Sequence, residues 1–123
     1  MMKRKVPLVD DEPDFVELTK MRLEAEGYVV VTAANGKEGL DAAKKERPDL
    51  ILLDVMMPEM DGFEMLNRVR QDPQIGRTHV VMLTAKGESR SMFRAKDLGS
   101  TDYLIKPCEA QELLKWVRRY AGR

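Results

Sequence analysis

Short apolar runs of three to six residues alternate along this chain with longer stretches in which apolar residues recur every three or four positions. The runs are Lys5 to Val9, Tyr28 to Ala33, Leu50 to Leu53, Val80 to Leu83 and Tyr103 to Ile105, and each predicts a strand. The stretches between them predict helices, so five helices follow five strands, the signature of repeated βα units and a parallel sheet. Boundary chemistry agrees: Asp11 and Pro13 open the first helix, Gly27 ends it, and Gly99 ends the fourth. The last helix has the clearest pattern. Leu113, Trp116, Val117 and Tyr120 recur at i, i+3, i+4 and i+7, while Glu109, Lys115, Arg118 and Arg119 fall elsewhere on the wheel. In the first helix, Phe15, Leu18 and Leu23 suit a buried stripe, but Arg22 stands where another apolar residue is expected.

Two features cut across the pattern. Pro7 lies in a strand that this topology makes interior, and a proline removes one ladder donor. Either the strand is locally irregular there or its pairing begins at Leu8. Asp72-Pro73-Gln74-Ile75-Gly76-Arg77 reads as the longest loop, exposed and relatively mobile, joining the third helix to the fourth strand.

Length fits a single domain over residues 1–123, whole or cut from a longer protein, burying roughly two-thirds of its unfolded surface. Lys and Arg number 21 against 21 Asp and Glu, so no net charge draws the molecule to nucleic acid or anionic lipid, and any electrostatic function is local. Cys108 is the only cysteine, which rules out an internal disulfide and assigns it to packing. No apolar stretch approaches a signal-peptide core or a spanning helix, and the expected location is the cytoplasm.

The candidate chemistry lies at the strand ends. Right-handed crossovers gather ligands where the carboxyl ends of the strands meet, and Asp10, Asp11, Asp54, Thr84 and Lys106 all fall at such ends. Two carboxylates a few ångströms apart repel by about 4 kcal/mol at an effective dielectric near 20, so three together need protonation or a cation. Mg²⁺ suits hard oxygen ligands, and the absence of clustered His or Cys argues against zinc. An aspartate can attack phosphorus to form an acyl phosphate. Mg²⁺ would bridge an Asp and a phosphoryl oxygen, the Lys106 ammonium would neutralise a second oxygen, and the Thr84 hydroxyl with the Ala85 N–H would bond the rest. Asp54 is expected to be ionised at neutral pH and to need no general base.

Four segments in order carry a family resemblance: Lys5-Val6-Pro7-Leu8-Val9-Asp10-Asp11-Glu12-Pro13, Asp54-Val55-Met56-Met57-Pro58-Glu59-Met60-Asp61-Gly62, Leu83-Thr84-Ala85-Lys86 and Asp102-Tyr103-Leu104-Ile105-Lys106-Pro107. Together they resemble the receiver domain of two-component response regulators, over nearly the whole chain. The resemblance implies an α/β, flavodoxin-like (βα)5 fold: a five-stranded parallel sheet in the order 2-1-3-4-5 with helices on both faces. It implies that Asp54 accepts a phosphoryl group from a sensor histidine kinase or phosphotransfer protein. It further implies that Asp11, Asp54 and the Met56 carbonyl ligate Mg²⁺ with Asp10 in support, that Lys106 contacts the phosphate, and that the Lys106–Pro107 peptide is cis. Thr84 and Tyr103 would switch together and remodel the face made by the fourth helix, fifth strand and fifth helix. The output would be a changed surface that controls a downstream protein or a missing effector domain, with no direct contact to nucleic acid or membrane.

Pro7, His79, Cys108 and Trp116 depart from the commonest family pattern, and none removes a catalytic group. Trp116 replaces a residue that is basic in many winged-helix relatives, which weakens the case for their salt-bridged dimer and leaves monomer and weak dimer open. His79, the only histidine, falls at the start of its strand, on the edge opposite the acids, and reads as a surface or loop-packing residue. Met56 and Lys86 flank the site in positions suited to gating water. Two rivals stand beside the switch reading. A metal-dependent phosphohydrolase working through an aspartyl-phosphate usually places a second Asp two positions after the nucleophile, where this chain has Met56. A receiver-like interaction domain that never turns over phosphate has no need of intact Asp10, Asp11, Asp54 and Lys106. Nucleotide binding is disfavoured, because no Gly-rich loop follows a strand.

Overall fold

The apolar runs form the interior of one parallel sheet. A computed structural model describes residues 4–85 and 89–122. Its elements in chain order are β1 (Lys5–Val9), α1 (Pro13–Ala25), β2 (Val29–Ala33), α2 (Gly36–Glu46), β3 (Leu50–Asp54), α3 (Gly62–Gln71), β4 (His79–Ala85), α4 (Ser89–Asp97), β5 (Asp102–Lys106) and α5 (Ala110–Ala121). All pairings are parallel and the order is β2-β1-β3-β4-β5, as expected from the resemblance. β2 begins one residue later than the apolar run, β3 takes in Asp54, and β4 and β5 each gain flanking polar residues. Hydrogen bonding along a ladder continues past the last apolar side chain, which the hydropathy pattern does not register.

β3 has all five residues buried, since it lies at the centre with helices on both sides. Its alternate residues feed two cores. Ile51 and Leu53 join Val9, Leu40, Leu66, Val69 and Met82 beneath α2, α3 and α4. Leu50 and Leu52 join Leu8, Leu23, Val81, Leu113 and Val117 beneath α1 and α5. In α5, Leu113 and Val117 are buried, while Trp116 and Tyr120 pack from the margin. In α1 the expected stripe is only partly realised. Leu23 is fully buried, Phe15 is half-buried, and Leu18 is 65% exposed. Thr19, one residue further on, takes the inward position that Leu18 was expected to fill.

Pro7 combines both expected outcomes, one on each flank. The Arg4 carbonyl accepts from the Val29 N–H, and the Asp10 N–H donates to the Ala33 carbonyl, so even-numbered residues of β1 turn their polar groups toward β2. The Pro7 nitrogen therefore faces β3. Pairing with β2 runs unbroken from Lys5 to Val9, whereas pairing with β3 begins at Leu8.

The 72–77 loop is exposed at Pro73, Gln74 and Arg77, as expected, and is also anchored. Ile75 is buried, the Asp72 carboxylate accepts from the Gln74 N–H at 2.8 Å, and the Arg70 guanidinium reaches three carbonyls. Those are Gly76 at 3.1 Å, Thr78 at 2.6 Å and Gly99 at 2.8 Å, which tie the end of α3 to both neighbouring turns. His79 opens β4 on the exposed amino edge, as expected. Its Nδ1 lies 3.3 Å from the Thr101 hydroxyl and its ring 4.8 Å from that of Tyr120. No helix among the described residues is long and apolar enough to cross a membrane.

Candidate functional site

The order β2-β1-β3 makes the chain reverse its direction of travel at β1, so the carboxyl ends of β1 and β3 flank the switch point of the sheet. Asp10 follows β1 directly and Asp54 is the last residue of β3. Across the sheet, register sets Asp54 beside Leu83 and Ala85 beside Lys106. Four separate segments therefore deliver polar groups to one edge.

Their charged groups converge on a single cluster. Asp10, Glu12 and Asp54 each offer a carboxylate oxygen, and the three oxygens lie within 4.8 Å of one another. The Lys106 ammonium sits among them, donating to Asp10 Oδ2 at 2.9 Å and Glu12 Oε1 at 2.6 Å, with Asp54 Oδ1 at 3.8 Å. The Phe15 ring lies beneath that ammonium, its centroid 4.4 Å away. Asp10 is fixed further by accepting from the Glu12 N–H through Oδ1 at 2.9 Å. The start of α1 thus uses Asp10 as its local acceptor, and Glu12 at the N-cap makes no side-chain cap. Asp11 is exposed and, with Asp10, lines a depression of about 250 Å³ toward β2 and α2.

Two glycines hold the loop after Asp54 in place. The Gly62 N–H donates to the Val55 carbonyl at 2.9 Å, and a Cβ at Gly62 would collide with the Asp54 carbonyl oxygen. The Gly36 N–H donates to the Met60 carbonyl at 3.0 Å, and a Cβ there would stand 2.5 Å from that oxygen. Both helices thereby press their first turns against the 55–61 loop, and Asp61 caps α3 by accepting from the Glu64 N–H. Met56, within this loop, is exposed.

Electrostatics reflect the crowding. Burial first, then the neighbouring Asp10 carboxylate, raise the Asp54 pKa to about 7, against an opposing pull from Lys106. Burial and the neighbouring acids therefore work against the full ionisation expected of Asp54 at neutral pH, and a second cation would favour it. Burial alone would depress Lys106, but the hydrogen bonds it donates to Glu12 and Asp10 outweigh it and the ammonium is held above its ordinary value. Cys108 is half-buried and its thiol is pushed up by burial, then by Glu112, in keeping with a packing role.

Thr84 is buried at the end of β4, and among the described residues its hydroxyl reaches the Leu104 carbonyl, at 3.5 Å. That is the outer limit of a hydrogen bond, so little holds the hydroxyl there. Tyr103 is half-buried on β5, packed against the α2–α4 core. The Lys106–Pro107 peptide is cis, as the resemblance implied. Lys86 lies outside the described residues. Sequence reasoning gave Glu12 no role and placed Phe15 only in the core. The visible signal was an acid one residue beyond the Asp pair and an aromatic one turn further, facing a lysine 94 positions away.

The comparisons agree with this geometry. The family model for the response regulator receiver domain matches residues 6–118. The alkaline phosphatase synthesis transcriptional regulatory protein PhoP of Bacillus subtilis (strain 168) is 42% identical over 122 residues, 99% of this chain and 50% of that protein. Among solved structures, chemotaxis protein CheY4 of Vibrio cholerae superposes with a TM-score of 0.89 at 38% identity, covering 97% of this chain and 99% of that one. The receiver domain of sensor histidine kinase PA1611 from Pseudomonas aeruginosa PAO1, solved with a magnesium ion in its active-site cleft, gives 0.90 at 28% identity, covering 99% and 100%. This chain therefore belongs to the response regulator receiver family, a class of regulatory domains. It spans half the length of the PhoP it matches.

Proposed function

We propose that Asp54 is the phosphoacceptor of a two-component switch, taking a phosphoryl group from a phosphohistidine on a sensor kinase or phosphotransfer protein in the cytoplasm. One observation carries this reading: Asp10 and Asp54, from two other strand ends, bring carboxylate oxygens within 3.8 Å of the Lys106 ammonium. In the transfer, an Asp54 carboxylate oxygen bonds to phosphorus as the phosphorus–nitrogen bond of the donor breaks, leaving the imidazole free. Lys106 lies near enough to neutralise a phosphoryl oxygen, and the Ala85 N–H, at the end of β4 beside it in register, is placed to donate to another.

The acidic cluster of Asp10, Glu12 and Asp54 fits Mg²⁺, since among the described residues it offers carboxylate oxygens and no nitrogen or sulfur ligand. Asp10, Asp11, Asp54 and the Met56 carbonyl would hold the ion, which when bound supplies positive charge that draws the Asp54 proton off and offsets phosphoryl charge. The magnesium ion in the active-site cleft of the PA1611 domain supports the choice of ion. The phosphoryl group then favours the conformer that brings the loosely tied Thr84 hydroxyl toward it, and Tyr103 follows. Tyr103 lines a groove of about 580 Å³ with Met92, Phe93, Lys96 and Thr101, on the α4–β5 side of the molecule. A change there would be read by a downstream protein or an effector domain, the chain acting as a monomer or a weak dimer through α4, β5 and α5. Turnover is confined to the chain's own phosphorylation and dephosphorylation.

Incubation with Mg²⁺ and acetyl phosphate, followed by intact mass, tests the reading. A single phosphate adduct on the wild type and none on Asp54→Asn is the expected result. Multiple turnover of phosphate esters, or an adduct that survives in Asp54→Asn, would overturn it.

A further inference from the structure

The Lys106 ammonium sits closer to the β1–α1 junction than to the acceptor it would serve. Its two short contacts, Asp10 at 2.9 Å and Glu12 at 2.6 Å, belong to the β1–α1 junction, as does the Phe15 ring at 4.4 Å. Asp54 Oδ1, at 3.8 Å, is its loosest partner. Asp10 has a fully buried side chain, whereas that of Glu12 is 62% exposed. We infer that Glu12 and Phe15 form a parking site for the Lys106 ammonium, holding it back from Asp54 and setting how readily this chain takes up a phosphoryl group. The inference rests on the phosphoacceptor reading above.

Chemistry makes the two residues suited to reversible holding. A carboxylate at the rim gives the ammonium a short charge-assisted hydrogen bond, yet it returns to water at little cost when the lysine leaves. An aromatic face attracts the cation without a directional bond, so the lysine can slide off it. Once a phosphoryl dianion stands on Asp54, the ammonium gains a stronger partner there than Glu12 can offer. Glu12 is then left solvated, and Phe15 keeps its packing against the core beneath α1 and α5. Glu12 and Phe15 are thus positioning residues acting through Lys106, and neither need touch the phosphoryl group.

The experiment compares the wild type with Glu12→Gln, Phe15→Leu and, as a control, Glu17→Gln, an exposed acid on the same helix. Affinity for beryllofluoride in Mg²⁺ is measured by calorimetry, and the rate of adduct formation from acetyl phosphate by intact mass. In that reaction the Asp54 oxygen–phosphorus bond forms as acetate departs. A second readout, free of phosphoryl chemistry, is the ¹H–¹⁵N signal of the Lys106 ammonium without metal, assigned by its loss in Lys106→Arg. Glu12→Gln should raise beryllofluoride affinity and phosphorylation rate about threefold, the size of a rim-exposed ion pair, and broaden the ammonium signal. Phe15→Leu should act in the same direction, about twofold. Unchanged or reduced affinity in Glu12→Gln, or an ammonium signal as sharp as in the wild type, overturns the parking site. Reduced Mg²⁺ affinity with an unaltered signal also overturns it, and makes Glu12 a metal ligand instead. A wild type that takes neither beryllofluoride nor phosphate fails the phosphoacceptor reading itself, a distinct outcome.

Discussion

The two ends of the sheet are built on opposite electrostatic principles. At the amino end several polar groups have fixed partners: Arg70 fills three carbonyls, the Thr78 hydroxyl donates to the Pro48 carbonyl at 3.1 Å, and His79 meets Thr101 and Tyr120. At the carboxyl end three carboxylates share one lysine, and Asp54 answers by raising its pKa to about 7. One end spends its hydrogen bonds on stability, while the other keeps charge in excess so that a cation and an anion are both welcome. A site of this kind destabilises the fold that carries it, and satisfied groups elsewhere offset the cost.

Substitutions should separate the two ends. Arg70→Met strands three carbonyls and should cost about 3 kcal/mol, seen as a lower urea midpoint at unchanged m-value. The folded fraction should still take phosphate from acetyl phosphate at the wild-type rate. Asp54→Asn should do the reverse, raising metal-free stability at pH 8 by on the order of 2 kcal/mol while abolishing the adduct.

The pH dependence follows from the same group. Asp54 has an ordinary value of 3.8 and a folded value of about 7, so between them the folded state binds the extra proton. Its ionisation penalty is complete above about pH 7 and is relieved as pH falls toward 4. Metal-free wild type should therefore lose stability from pH 5 to pH 8 in urea titrations, and Asp54→Asn should show a flatter profile. Mg²⁺ at about ten times its dissociation constant should return about 1.4 kcal/mol at pH 8. The same addition should do little for Asp54→Asn. The smallest effect is expected from His79→Ala, about 0.5 kcal/mol, because the ring is exposed and its partners stay hydrated. A His79 effect as large as that of Arg70 would show that the amino end is held by its aromatic contacts and not by its filled carbonyls.

Much of the fold was legible because apolar runs and helical periodicity report burial directly, and β3, α2, α3 and α5 follow them closely. Leu18 was misplaced because α1 covers only part of the sheet, and Thr19 sits closer to it than Leu18 does. The inward face of a half-covered helix depends on where its neighbours lie. The anchoring of the 72–77 loop was not legible for a related reason. Its anchors, Ile75 and the distant guanidinium of Arg70, are single residues that set up no periodic signal. The candidate site was legible as a set of acids and one lysine at strand ends, but its internal bonding was not.

The sequence by itself determined the element order, the parallel sheet and the identity of the groups at its carboxyl edge, since periodicity and strand-end placement are local properties of the chain. Only the tertiary structure decided that the Pro7 nitrogen faces β3, that Glu12 and Phe15 share the Lys106 ammonium with Asp10, and that Asp54 is crowded toward neutrality. Those facts depend on distances of a few ångströms between residues far apart in the chain. Electrostatic and hydrogen-bond energies change steeply over such distances, and no spacing along the sequence encodes them.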